Sequence, residues 1–335
     1  MNWDAISAYL LLNMDFITKL LLVLAYSFFG TLVATPYVFK QLRKRGYTGE
    51  DMYKHSNRII PSMGGLAAFI GLILSLSLSV ILFDKSMMGD VFIFYFVITI
   101  YMMYGVLDDL FHFEARYDKI IVLAVLSLPL SILIDSTSIN FFGFDLFLGS
   151  FYSLLIVPIY VMVVANMVNI HAGFNGLTVG SSLLVIITTI IKSVMDYGLT
   201  SKLLFIAPIL GGLIVLWHFN KYPAKCFPGN CGDFMIGSVV GAYLMINNYF
   251  WFGIVILIPH IINFMMDTVT MIVKKHPKEK FGTVREDGTV KPPKVIINKS
   301  IIYWLTGNFR MTEKSATNIC LAFTAVCCVL GLILF

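Results

Sequence analysis

Apolar and polar positions along the chain alternate on a scale far longer than one helical turn. Runs of about 17 to 25 apolar residues are separated by short polar segments, the pattern of helices that cross a membrane. Ten such runs fall at 17–39, 64–83, 91–107, 119–134, 147–168, 177–195, 203–219, 234–250, 251–273 and 315–335. They predict an all-α, polytopic membrane protein of about ten transmembrane helices, folded as a single domain over 1–335. The first run has no basic segment before it and no small-residue cleavage site after it, so it is expected to stay as a helix. The only long loop, 274–314, contains KKHPKEKFGTVREDGTVKPPK and reads as a cytoplasmic hairpin, with Asp287-Gly288 as its turn signal.

Composition agrees with the pattern. With 58% hydrophobic and only 13% charged residues, the chain cannot cover a water-soluble surface of its size. The net charge of +5 gives no continuous basic face, which disfavours nucleic acid as a partner. Of the 24 Lys and Arg residues, 20 lie in one set of loops (40–63, 108–118, 169–176, 220–233, 274–314) or at Lys119, and the positive-inside rule makes that set cytoplasmic. The opposite loops carry Asp84, Asp90, Asp135, Asp145 and Asp196 against Lys85 and Lys202. Both termini are then expected outside, with an even number of spans. The five cysteines form no disulfide framework, and Cys226 with Cys231 lacks the second pair or nearby His that a zinc site needs.

Candidate chemistry falls on the cytoplasmic side, in separate loops. Asp108-Asp109 ends the third span in MYGVLDDLFHF, where a carboxylate pair must face a polar cavity or a cation, or sit as an interfacial acidic pair. In NMVNIHAGFNGLTVG, Asn166 and Asn169 share a helix face before a turn punctuated by Gly173 and Gly176. Such Asn side chains can ligate a hard cation and such glycines let a nucleotide approach the backbone, although capping and turn formation use the same residues. Asp233, in NCGDFMIG, enters an apolar helix as an N-cap or as a metal ligand. Lys119, Lys278 and Lys280 add cations that suit a metal-bound diphosphate, and also suit topology or lipid headgroups.

These motifs, in this order, resemble the polyprenyl-phosphate N-acetylhexosamine-1-phosphate transferase superfamily. The likeness spans nearly the whole chain: PSMGG after the first span, the Asp-Asp pair, the Asn-rich Gly turn, the Gly-Asp entering the eighth span, and the basic loop after the ninth. AGFNGL at 172–177 looks like the dolichyl-phosphate GlcNAc-1-phosphate transferases of archaea and eukaryotes. Bacterial cell-wall relatives typically carry Asp at the positions of Ala172 and Asn175 and a His-rich last loop, where this chain reads HPKEKFG.

The resemblance implies an active site formed by cytoplasmic loops, with UDP-GlcNAc or a related UDP-HexNAc as donor and a polyprenyl or dolichyl phosphate as acceptor. Asn169 and Asp233 would hold Mg²⁺, with Mn²⁺ as the alternative, and Asn166 would support that site. Gly173 and Asn175 would bind the uracil. Asp108 and Asp109 would position or deprotonate the lipid phosphate, Lys119 would contact phosphate, and Lys278 and Lys280 would lie near the sugar and diphosphate. Two departures stand out: His112 replaces an Asn beyond the acidic pair, and Lys-Glu-Lys replaces Arg-His-Arg. The expected setting is an integral membrane protein among membrane lipids, in the cell membrane for a prokaryotic source or the endoplasmic reticulum for a eukaryotic one, with a homodimer left open. The rival reading is a secondary transporter, for which the chain lacks a symmetric pair of interrupted helices.

Overall fold

The computed structural model describes residues 14–56, 58–113, 116–141, 144–274, 281–293, 296 and 298–335. Helix α1 (Phe16–Lys44) begins where the Asp15 carboxylate accepts the Thr18 N–H at 2.7 Å, and it ends on Arg43 and Lys44, cations that suit the negative end of the helix dipole. A hairpin of β1 (Thr48–Asp51) and β2 (Arg58–Pro61) leads into α2 (Gly65–Leu82) and α3 (Lys85–Phe111). Next come α4 (Arg116–Leu126), a second hairpin of β3 (Ser138–Phe141) and β4 (Phe144–Phe147), α5 (Val157–Ile170), α6 (Leu177–Tyr197) and α7 (Ala207–Asn220). The chain continues through α8 (Gly229–Ile246), α9 (Phe250–Ile256) and α10 (Ile258–Lys274). A third hairpin, β5 (Thr283–Val284) with β6 (Val290–Lys291), then precedes α11 (Ile301–Asn308) and α12 (Glu313–Leu334). The all-α expectation is corrected to mostly helical, with three two-stranded hairpins.

Among the described residues, six helical segments are long and apolar enough to cross a membrane: α1, α2, α3, Tyr152–Ile170, α6 and α12. Counting α9 and α10, bent by 71° at their junction, as one span makes seven. This differs from ten continuous helices, and prolines account for much of the difference. Pro129 falls where α4 gives way to a 3₁₀ turn, Leu128–Leu133. Pro208 sits at the start of α7, whose 14 residues reach about 21 Å at about 1.5 Å per residue. Pro259 cannot donate an N–H to the Val255 carbonyl, and the chain bends there.

Helix α8 is the central post, packed against α2, α3, α5 and α6, and every residue from Cys231 to Met245 is buried. Its neighbours approach at backbone distance. A Cβ added to Gly65 of α2 would lie 2.4 Å from Gly232 Cα, one on Gly105 of α3 would lie 2.5 Å from Cys231 Cα, and one on Gly237 would lie 2.6 Å from Ala165 Cα of α5. Small residues allow this approach in a bilayer, where helix association depends on close packing. The outer faces are apolar, with Phe29, Val33 and Tyr37 of α1 and Phe96 of α3 exposed, as lipid contact requires.

Candidate active site

The site begins where α3 ends against the start of α8. The first N–H groups of any helix lack partners within it. Here the Asp109 carboxylate serves α8 from another helix, accepting the Asn230 N–H at 2.9 Å on Oδ1 and the Cys231 N–H at 3.0 Å on Oδ2. Gly229 makes room for this, since its φ is +75° and a Cβ there would lie 2.8 Å from Asp109 Oδ2. The preceding carbonyls are fixed too: Gly64 N–H donates to Phe227 O at 2.8 Å and Gly65 N–H to Pro228 O at 2.9 Å. Asp233 follows one turn into α8, buried, with Oδ1 lacking any hydrogen-bond partner.

Asp109, Asn169, Gly173, Asn220, Phe227 and Asp233 line one chamber of about 420 Å³. A second chamber of about 590 Å³ adjoins it, sharing Ala172, Gly173 and Phe227 as a common wall. Its other walls include Gly49 to Tyr53 of the first hairpin, Asn263 and Asp267 of α10, and Lys299, Ser300, Ile302 and Tyr303 around the start of α11. Gly173 stands at the junction with φ +138°, and a Cβ there would lie 3.0 Å from Ile302 Cδ1.

Of the residues singled out from sequence, Asp109, Asn169, Gly173 and Asp233 meet in the smaller chamber. Asn175 lines the larger one, with its amide engaged within the protein: Nδ2 donates to Asp51 Oδ1 at 3.1 Å and Oδ1 accepts the Ala224 N–H at 2.7 Å. Asp108 is buried on α3 and lines neither chamber. Asn166 donates back to the Met162 carbonyl at 2.9 Å and also lines neither. Lys119 lies on α4 with its side chain outside what is described, and Lys278 and Lys280 lie outside the described residues. Cys226 and Cys231 are buried and free.

Sequence reading missed Asn263, which ties three elements together. Its Nδ2 donates to the Ile170 carbonyl at 3.1 Å and its Oδ1 accepts the Ile301 N–H at 3.0 Å. Asp267, one turn further along α10, pairs with Lys299 at 3.8 Å. The signal was present, since Asn263 and Asp267 are polar residues i, i+4 inside an apolar run. Tyr53 was missed as well: its hydroxyl lies 2.8 Å from that of Tyr303, and its ring meets Phe174 edge-on with centroids 4.9 Å apart. Burial, reinforced by Tyr303, pushes the Tyr53 phenol far above its ordinary pKa, so it stays protonated.

Among the described residues, no three His, Cys, Asp or Glu side chains converge as a metal-ligating group. What the smaller chamber offers is a buried carboxylate oxygen without a partner, on Asp233, and the Asn169 amide. This oxygen donor set fits a hard cation such as Mg²⁺, which keeps part of its shell for water and substrate phosphate.

Residues 91–248 match glycosyl transferase family 4. The chain is 30% identical over 255 residues to a protein of Saccharolobus solfataricus provisionally named UDP-N-acetylglucosamine–dolichyl-phosphate N-acetylglucosaminephosphotransferase, covering 75% of this chain and 78% of that one. A provisionally named glycosyltransferase of Methanocaldococcus jannaschii is 29% identical, with 72% of each chain covered. The phospho-N-acetylmuramoyl-pentapeptide-transferase of Streptococcus pneumoniae is also 29% identical, covering 70% of this chain and 76% of that one.

Proposed function

The chain belongs to glycosyl transferase family 4, and from that membership we propose that it transfers GlcNAc 1-phosphate, or a related HexNAc 1-phosphate, from a UDP-sugar to polyprenyl phosphate. Dolichyl phosphate is the proposed acceptor form, UMP leaves, and the lipid-linked sugar begins a glycan assembly such as protein glycosylation. The name of the Saccharolobus solfataricus relative supports the donor and acceptor, and the cell membrane is the proposed location. The observation that carries the reading is the pair of adjoining chambers, one holding the buried Asp233 with Asn169 and the other walled by an aromatic and polar hairpin.

In this reading Asn169 and Asp233 would hold Mg²⁺, and the chemistry it would supply is neutralisation of diphosphate charge. Asp109 keeps Asp233 in place by fixing the start of α8. Gly173 lets the nucleotide lie against main chain, and Phe227 offers a ring face at the passage between chambers. A lipid phosphate oxygen forms a bond to the β-phosphorus while the bond to the UMP oxygen breaks. A phosphate oxyanion is already a competent nucleophile, so the protein's task is alignment of two anions. The acceptor's apolar tail stays in the bilayer throughout.

The test uses purified protein with labelled UDP-GlcNAc, dolichyl phosphate and Mg²⁺. Equal amounts of UMP and of label in the lipid phase are expected, lost with chelator and restored by Mg²⁺. Parallel reactions with UDP-GalNAc and UDP-MurNAc-pentapeptide identify a different donor. Silence with every UDP-sugar would overturn the reading.

A further inference from the structure

At and behind the Asp51 wall of the larger chamber lies a buried ionic cluster that the proposed chemistry does not use. Asp51 and Glu313 are each 1% exposed, and Lys54 stands between them, 3.2 Å from Asp51 Oδ1 and in direct contact with Glu313 Oε2. The Lys54 ammonium also lies 4.4 Å from the centre of the Tyr222 ring. One cation between two carboxylates, all withdrawn from water, is a costly arrangement to maintain unless its geometry is used.

The cluster closes on Asn175. Glu313 Oε1 accepts the Asn175 backbone N–H at 2.7 Å, and Asp51 Oδ1 accepts the Asn175 side-chain amide at 3.1 Å. The remaining Asn175 oxygen takes the Ala224 N–H at 2.7 Å, three residues before Phe227. Asn175 therefore joins four separate parts of the chain: the Gly turn that carries Gly173, the first hairpin, the segment that carries Phe227, and the first turn of α12. Three of these form walls of the larger chamber. The fourth, α12, does not line the chamber and is tied to Asn175 through Glu313.

We propose that the Lys54–Asp51–Glu313 cluster, acting through Asn175, sets the spacing of the Gly turn, the hairpin and Phe227, making Glu313 a positioning residue for the nucleotide. The inference rests on the reading that the adjoining chambers take a UDP-sugar. Lys54 lies between the two acids and offsets their repulsion, so that both can face Asn175 at once. The turn bearing Gly173 is then held by a residue from the far end of the sequence.

Three substitutions at Glu313 separate position from charge. Glu313→Ala removes the acceptor for the Asn175 N–H. Glu313→Asp keeps the charge beside Lys54 but withdraws the acceptor by one methylene. Glu313→Gln keeps an acceptor oxygen in place and removes the charge. Positioning predicts that Glu313→Ala raises the donor KM about tenfold with kcat within about threefold and the acceptor KM unchanged, the equivalent of one lost hydrogen bond to a charged group. Glu313→Gln should recover most of that loss and Glu313→Asp should not, while Lys314→Ala, an exposed neighbour, should match wild type. UMP binding by calorimetry, with melting temperatures alongside, should follow the same order. A folded Glu313→Ala enzyme with wild-type donor KM overturns the proposal, as does a loss confined to kcat. If Glu313→Ala does not fold, the Asp and Gln variants decide, and Asp performing better than Gln overturns it. Wild-type protein that binds no UMP sinks the nucleotide reading and this inference together, whereas equal binding by wild type and all variants sinks the inference alone.

Discussion

Asp109→Ala and Asp233→Ala are expected to move stability in opposite directions, although both carboxylates line one chamber. Asp109 accepts two backbone N–H groups at the start of α8, at 2.9 and 3.0 Å. A hydrogen bond to a charged group contributes about 1.5–3 kcal/mol, so losing both removes about 3–6 kcal/mol. Asn230 lines the chamber, where water can reach its freed N–H, and this moves the expectation to the lower end, near 3 kcal/mol. Asp233 has the opposite balance: its Oδ1 is buried without a partner, and deleting the carboxylate relieves about 1–3 kcal/mol of desolvation, less a small cavity term. The assay is a melt in detergent with chelator present, read by a thiol-reactive fluorogenic dye. All five cysteines are free and buried, so dye uptake reports unfolding. Asp109→Ala should melt well below wild type and Asp233→Ala at or above it, while both lose transfer activity. Equal destabilisation by the two variants would refute the assignment of Asp109 as anchor and Asp233 as the group kept for a cation.

Two further outcomes follow from packing and hydrogen bonding. Gly65→Ala places a Cβ 2.4 Å from Gly232 Cα, so two backbones must separate; a loss of about 1–3 kcal/mol in the same melt is expected, with reduced activity because the start of α8 moves. A wild-type melt would show that the α2–α8 contact is looser than described. Asn263→Leu keeps the branched shape but frees the Ile170 carbonyl and the Ile301 N–H, and should raise the donor KM several-fold at a stability loss of about 1–3 kcal/mol. An unchanged KM would show that α10 does not shape the larger chamber for the donor.

How far the site could be read from sequence depended on how far apart its partners lie. Asn169 and Gly173 sit four residues apart at a helix end, so their shared location was legible from spacing and turn chemistry. Asp109 was legible as a carboxylate that needs polar company, but not as the anchor of α8, because its partners Asn230 and Cys231 lie 121 and 122 residues away. Asn166 has the same spacing logic as Asn169, yet it bonds back to its own helix, a choice periodicity does not encode. The apolar runs marked the helical segments, while prolines at 129, 208 and 259 decided which of them stay straight and long. Hairpin 48–61 was invisible as a wall because its four-residue strands carry too little pattern to separate them from a polar loop.

The crowding of α8 has an evolutionary consequence. A helix touched at backbone distance from three sides has no room for an added methyl group at those contacts, so few substitutions there should be tolerated whatever sugar is used. Diversification of donor or acceptor would then fall to the segments that wall the larger chamber, Gly49 to Tyr53 and the start of α11. Lineages that handle different sugars would share one invariant post and differ in the walls built around it.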